Sequence, residues 1–511
     1  MIKSVILIVL DGWGIGRRDA TNPIYAVNPP TFKMLEENYP LTSLQASGIS
    51  VGLNWGETGN SEVGHLTMGA GKVLYQHYPR ITMAIKDNSF FENPVLKEAF
   101  KHARENNSSV NFVGLLSDAD THASIGHLKA LIKMAEKENF PKIKLQLFAD
   151  GVDSPPRSIK KMLNQLPLDN LATLIGRYYA MDRENRWQLT ENAYKLLTNQ
   201  TPEVSDTPEA VIDKTYQKNL NDNYVSPTRF AGKKGIEDGD SVIFFNYRED
   251  SIRQLAESFI KPDFDKFPRM ELKNVYLATF TKYRSDFEAP VAFPADEVKD
   301  PLGKVLADHG KTQMRLAESL KYAHVTYFFN GYREPPFTNE YRVLIPSIQL
   351  THPDDQPEMR AGEITARLMQ AIGNRTFDFI LVNYANPDII GHTANYEACK
   401  KVVSIIDKDI DSIVKTTLNQ KDTVVLITAD HGNIEEKINP KTGAPESSHQ
   451  PSPVPFYVIN DEFKGRKFSN YRELENETVG TLADVAPTIL ELLNLPVPKE
   501  MTGQSILKNL L

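Results

Sequence analysis

Val5–Leu10 is an unbroken run of Val, Ile and Leu that stops at Asp11-Gly12-Trp13-Gly14. Val424–Thr428 repeats the pattern and runs through Ala429 into Asp430-His431-Gly432-Asn433. A strand with no polar face belongs inside a parallel sheet covered by helices on both sides. Such sheets gather ligands outside the carboxyl ends of their strands. Both runs therefore end in carboxylate or imidazole where a parallel sheet places its chemistry. Locally, Asp11 reads equally well as a turn or cap residue. An adjacent Asp-His pair can ligate a divalent metal or act as an acid/base pair, and alone it decides nothing.

At 511 residues the chain exceeds what one hydrophobic core usually serves. From about Tyr75 to Pro294 the alternation of strands and helices changes character. Val110–Leu116, Ile143–Ala149, Leu171–Gly176, Ser241–Tyr247 and Val275–Thr281 read as strands. His127–Glu136, Arg157–Leu163, Glu191–Leu197, Pro208–Lys218 and Glu249–Ile260 read as helices. Tyr75–Ile81 and Lys282–Pro294, proline-containing and mixed, read as paired linkers. The expected organisation is α/β: an outer domain of residues 1–76 and 295–511 with a parallel-rich sheet, and a second α/β domain, 77–294, inserted into it.

In the outer domain, Val325–Phe329 and Phe379–Asn383 read as strands, with Phe456–Ile459 following Pro453-Val454-Pro455. Ile364, Leu368 and Ile372 make one apolar helix face, Val402 to Val414 a longer one, and Leu482–Leu495 a third. Four further polar positions stand out. Asp388 and His392 lie four apart, so on a helical turn they reach one point. His449 occupies a polar loop. Ser61, within Gly59-Asn60-Ser61-Glu62-Val63-Gly64-His65, stands at a helix start, suited either to an N-cap or to a nucleophile favoured by the helix terminus. In the inserted segment, His122, Asp153, Arg177, Arg183, Arg186 and Arg248 fall at strand ends, where converging guanidinium forks make an anion pocket.

The net charge of -8 argues against nucleic-acid binding, which needs a basic face. The single cysteine, Cys399, excludes a disulfide within the chain and a thiolate metal site, and its helical setting makes it a packed small residue. No segment approaches membrane-spanning length, and the first apolar run is too short for a signal sequence. The expectation is a cytoplasmic monomer acting on a small molecule, with neither nucleic acid nor membrane as partner.

Asp11, Asp388, His392, Asp430, His431 and His449 together form a mixed carboxylate/imidazole set with Ser61 as a hydroxyl. Mixed O/N ligands without sulfur suit Mn²⁺ or Zn²⁺, and there are enough of them for two ions. A two-metal site clamps the attacking and leaving oxygens of a phosphoryl group and promotes deprotonation of a serine hydroxyl. With an arginine-lined pocket added, phosphoryl transfer follows.

The chain resembles the cofactor-independent phosphoglycerate mutases of the alkaline phosphatase superfamily, nearly end to end. The resemblance rests on Val9-Leu10-Asp11-Gly12-Trp13-Gly14, the Gly59–His65 stretch, Gly176-Arg177-Tyr178-Tyr179-Ala180-Met181-Asp182-Arg183, Lys321-Tyr322-Ala323-His324-Val325-Thr326, Asn386-Pro387-Asp388 with Gly391-His392-Thr393, and Ala429–Asn433. It implies Ser61 as the nucleophile that becomes phosphoserine. It further implies one metal on Asp11, Ser61, Asp430 and His431, and another on Asp388, His392 and His449. The metals would be two divalent ions, Mn²⁺ first, with Zn²⁺, Co²⁺ or Mg²⁺ as alternatives. Glycerate would be held by His122, Asp153, Arg177, Arg183 and Arg248, with Lys321 neutralising the phosphoryl group. The implied reaction interconverts 3-phosphoglycerate and 2-phosphoglycerate without bisphosphoglycerate, with domain closure excluding water.

The departures from the family pattern all surround the glycerate. Val152 and Ser251 stand where arginines are usual, Ala119-Asp120 replaces a glycine pair, Ser124 a histidine and Leu320 a glutamate. Arg157, Lys160, Arg186 and Arg253 lie near enough in sequence to compensate. The alternatives are a phosphatase or phosphomutase of the same superfamily acting on another small phosphate ester, or a catalytically silent relative.

Overall fold

The computed structural model describes residues 2–349, 351–466, 474 and 478–510. The chain divides into two compact units, Met1–Tyr75 with Asp296–Leu511, and Gln76–Ala295. Each has its own hydrophobic core, one built around Val5–Leu10, Leu381 and Leu426, the other around Phe112, Leu147 and Ile243.

In the first unit the sheet runs Glu340–Ile345, Gln313–Glu318, Phe379–Tyr384, Ser4–Leu10, Thr423–Thr428, Val454–Ile459, Leu41–Gln45 and Gly480–Thr481. The first five strands are parallel to one another, and Val454–Ile459 runs antiparallel to both neighbours. The register carries the functional consequence: Leu10 lies beside Tyr384, and Val9 beside Thr428. Three strands thus end level, and Asp11, Asp388 and Asp430 leave the sheet on one edge. Helices Ala361–Asn374 and Tyr396–Thr417 bury the apolar faces predicted for them. Beyond Thr481 the chain makes a 3₁₀ turn, Leu482–Asp484, and the helix Val485–Leu492, slightly shorter than the apolar pattern.

The strand expected at Val325–Phe329 is instead a π-helical turn, His324–Phe328. Its aromatic and β-branched residues have strand propensity, but Val325 and Phe329 are buried against the helix Ser61–Ala70. Gly69 permits that approach, because a side chain there would meet the Phe329 carbonyl oxygen. The sheet position belongs to Gln313–Glu318, which its polar members Gln313, Arg315 and Glu318 disguise.

The second unit holds a sheet ordered Glu203–Val204, Thr228–Phe230, Leu171–Gly176, Ile143–Ala149, Val110–Leu116, Ser241–Phe244 and Tyr276–Thr279. All neighbours are parallel except the pair Leu171–Gly176 and Thr228–Phe230. Of the two expected linkers, most of Tyr75–Ile81 is the start of a helix, His77–Lys86, because Ile81 packs into the second core. Among the described residues no helix is long and apolar enough to cross a membrane.

Candidate metal centre and anion pocket

Ser61 is the first residue of its helix, not the cap. Asn60 takes the cap role, its side-chain oxygen accepting the Val63 N–H at 3.0 Å, and this frees the serine hydroxyl. Gly59 and Gly64 let the turn press onto the Asp430-His431 strand end: a side chain at Gly64 would lie 2.5 Å from the Asp430 carbonyl oxygen. The hydroxyl meets Asp11 Oδ1 and His431 Nε2, each at 3.0 Å. Lys321 Nζ donates to Ser61 Oγ, Asp11 Oδ1 and Asp388 Oδ2, each at 2.7 Å.

Charge density here is high, and Asp11, Ser61, Lys321 and His431 are all buried. Burial pushes the Asp11 carboxyl up, but Lys321 and His431 hold it far below the usual range. Burial disfavours the charged Lys321, yet Asp11 and Asp388 hold it protonated more firmly than a free lysine. Burial likewise opposes a charged His431, and Asp430, Asp11 and Asp388 overcome it, raising that imidazole to about 10. A serine oxygen bonded to an ammonium gains stabilisation as it becomes anionic.

His392 and His449 present Nε2 to Nε2 at 3.0 Å, each 3.3 Å from Asp388 Oδ1. Their other nitrogens are committed: His392 Nδ1 faces the Ser447 carbonyl at 2.9 Å and His449 Nδ1 the Gly59 carbonyl at 2.7 Å. Both Nδ1 protons point at carbonyls, so each neutral ring offers a lone pair at Nε2, and a cation between them would take both. Ligand atoms of Asp388, His431 and His449, and those of Asp11, Asp430 and His431, converge within 4.8 Å of one another. Asp430 Oδ1 accepts the Gly12 N–H at 3.1 Å, while its buried Oδ2 lies 3.1 Å from His65 Nδ1, whose proton is directed at the Ser61 carbonyl, and so accepts no hydrogen bond. The donor set fits two divalent ions, with His431 between the two groups.

The second unit gathers His122, Asp153, Arg177, Arg183 and Arg248, the last two through a shared carboxylate. Asp150 organises the turn by accepting the N–H groups of Val152, Asp153 and Ser154. His122 Nδ1 is 2.6 Å from Asp153 Oδ2, and Arg177 Nη1 bonds both Asp153 at 2.8 Å and Asp150 at 2.7 Å. Asp250 joins Arg183 at 2.9 Å and Arg248 at 3.2 Å, both guanidinium groups remaining largely exposed. Arg186 is not in the cluster, being paired to Asp182 and stacked over Tyr178. The other suggested compensators are also engaged elsewhere: Lys160 with Asp213, Arg157 beside Tyr216, and Arg253 on the Tyr283 carbonyl. Val152 is 60 % exposed, and Ser251 is buried with its hydroxyl between His122 Nε2 and Asp250.

Residues 3–497 match the family model of the Metalloenzyme superfamily. The 2,3-bisphosphoglycerate-independent phosphoglycerate mutase of Pseudomonas entomophila is 43 % identical over 99 % of this chain and 98 % of its own. That of Clostridium botulinum strain Langeland is 42 % identical over 99 % of both. The chain belongs to this family. It is therefore an isomerase of the intramolecular phosphotransferase kind and binds divalent metal. A Leishmania mexicana phosphoglycerate mutase crystal structure shares the fold, with a TM-score of 0.53 at 24 % identity over 99 % of this chain and 97 % of its own.

Sequence reasoning passed over several neighbours of the site. Asn383 donates to Asp11 Oδ2 at 2.7 Å, and His65 sits one helical turn past Ser61 with Nδ1 on the Ser61 carbonyl at 2.9 Å. Asn433 donates to Asp388 Oδ1 at 2.8 Å. Asn383 carried a signal, a polar residue near the end of an otherwise apolar run, and His65 lay inside a quoted motif. Glu435 and Lys437 carried none, since charged residues after a strand usually face solvent.

Proposed function

We propose that this chain interconverts 3-phosphoglycerate and 2-phosphoglycerate through a phosphoserine at Ser61. The observation that carries the reading is the freed Ser61 hydroxyl, bonded at once to Asp11, His431 and Lys321 inside a two-ion donor set. Asp11, Ser61, Asp430 and His431 would hold one ion, and Asp388, His392 and His449 the other. Bound divalent ions, Mn²⁺ first, supply Lewis acidity that favours the serine alkoxide and neutralises phosphoryl oxygens.

The chain's own residues do the rest. Ser61 Oγ bonds phosphorus as the bond from phosphorus to the glycerate 3-oxygen breaks, and the proton lost by the serine ends on that oxygen. Return to the 2-oxygen reverses the exchange and regenerates the serine hydroxyl. Lys321 stays a cation throughout, bonded to the nucleophile before attack and placed to neutralise the phosphoryl group after it. His122, Asp153, Arg177, Arg183 and Arg248 hold the glycerate, and the exposed donors of Arg183 and Arg248 suit its carboxylate. The protein acts as a cytoplasmic monomer on this small substrate, without bisphosphoglycerate, nucleic acid or membrane.

The test is turnover of 3-phosphoglycerate with Mn²⁺ and no bisphosphoglycerate, product being coupled to enolase. Wild type gives signal and Ser61→Ala gives none. Equal signal from the two would sink the proposal. A panel of small phosphate esters separates the alternative substrates: phosphoglycerate leads it on this reading, and another ester would lead if Val152 and Ser251 had redirected the pocket.

A further inference from the structure

Lys437 is fully buried in the metal-bearing unit, and its hydrogen-bond acceptors are neutral. Nζ donates to the Gly391 carbonyl at 3.1 Å and to the side-chain oxygen of Asn433. Glu435, Glu446 and Asp388 offset the charge from a distance, but the ammonium's directed bonds go to neutral acceptors, an arrangement that costs stability relative to a bonded carboxylate. Both acceptors lead to metal-site residues. Gly391 immediately precedes His392. Asn433 passes the contact on, its Nδ2 donating to Asp388 Oδ1 at 2.8 Å and to the Asp388 carbonyl at 3.2 Å.

The direction of these bonds matters. An ammonium only donates, so it obliges Asn433 to turn its oxygen toward Lys437 and its NH₂ toward Asp388. That NH₂ occupies one side of Asp388 Oδ1 and leaves the other aimed between His392 Nε2 and His449 Nε2, each 3.3 Å away. A flipped amide would set oxygen against carboxylate and swing Asp388 off that point.

The backbone around Asn433 is fixed from the other side. Glu435, also fully buried, accepts the N–H groups of Asn433 at 2.8 Å and Gly14 at 3.0 Å through one oxygen. Glycines form the cage around it: a side chain at Gly14 would lie 2.4 Å from the Glu435 carboxylate, and one at Gly432 2.3 Å. Gly391 seats the Asp388–His392 turn on Asn433 with the same economy, since a side chain there would lie 2.6 Å from Asn433 Oδ1.

We propose that Lys437 is a positioning residue for the Asp388–His392–His449 metal site, acting through Asn433 and the Gly391 carbonyl. The inference rests on the reading that those three side chains hold a metal. It is tested by titrating the metal-stripped full-length chain with Mn²⁺ in a calorimeter and counting bound metal after gel filtration. The proteins compared are wild type, Lys437→Met, Asn433→Ala and the double variant. Lys437→Met should weaken one of two Mn²⁺ sites by about 10- to 100-fold and leave the other unchanged. Asn433→Ala should do the same, and the double variant should be no weaker than the weaker single, because both act in one chain of contacts. Two Mn²⁺ bound by Lys437→Met with wild-type affinities would overturn the inference, as would losses that add in the double variant. If Lys437→Met does not fold, Asn433→Ala decides, and wild-type binding by it overturns the proposal. Fewer than two Mn²⁺ on the wild-type chain removes the metal reading itself, and this inference with it.

Discussion

Glu36 lines a cavity of about 220 Å³ with Trp13, Phe32 and Tyr457. Burial raises its carboxyl from 4.5 to about 7, against the opposing pull of Arg18. The folded chain therefore holds this proton more tightly than the unfolded chain. Between 4.5 and about 7 the native state carries the extra proton, so stability falls as pH rises through that window. Glu36→Gln should flatten the slope and raise Tm at pH 7 relative to wild type. Parallel Tm curves for the two proteins across the window would contradict the assignment. Asp388 and Asp11 run the opposite way, held low by their cationic neighbours. Residues of this kind set the limit of sequence reading. Asp11 and Asp430 were legible because an apolar run ended on them, whereas Glu435 looks like a surface charge until Gly14 and Gly16 close over it, and Lys437 until it meets the Gly391 carbonyl.

At the scale of elements, the Ser61 helix shows how a local rule and a chemical role divide between neighbours. Serine is a good cap, and the sequence alone leaves Ser61 as cap or nucleophile. Asn60 takes the cap, because its side chain reaches the Val63 N–H, and Ser61 is left free of that role. Asn60→Ala should cost about 1 kcal/mol of stability, read by urea unfolding, whereas Asn60→Asp should cost little. Equal stability of all three proteins would mean that another group satisfies that N–H. The π-helical turn at His324–Phe328 is the converse case. Strand propensity pointed one way and tertiary packing on Gly69 the other, and packing won. The parallel strands themselves were legible where both faces are apolar; Gln313–Glu318 and Glu340–Ile345 were not, and the first of them buries Arg315 and Glu318.

For the whole molecule, the central fact is register. Three neighbouring parallel strands end level, so residues 11, 388 and 430 meet although hundreds of positions separate Asp11 from the other two in sequence. The sheet supplies the rigid edge, and the segments that leave it carry the proposed ligands. Asp430→Asn and His392→Ala should therefore lose Mn²⁺ and turnover while keeping the far-ultraviolet circular dichroism of the wild type. Full metal loading in both variants would contradict the ligand assignment.

The most direct test of the account is the state of Ser61 during turnover. The enzyme is mixed with Mn²⁺ and 3-phosphoglycerate, quenched in acid within the first turnovers, digested, and the Ser61 peptide weighed by mass spectrometry. The account predicts phosphate on Ser61 that appears only with substrate. Sustained mutase turnover with Ser61 unmodified and phosphate on another residue would contradict it.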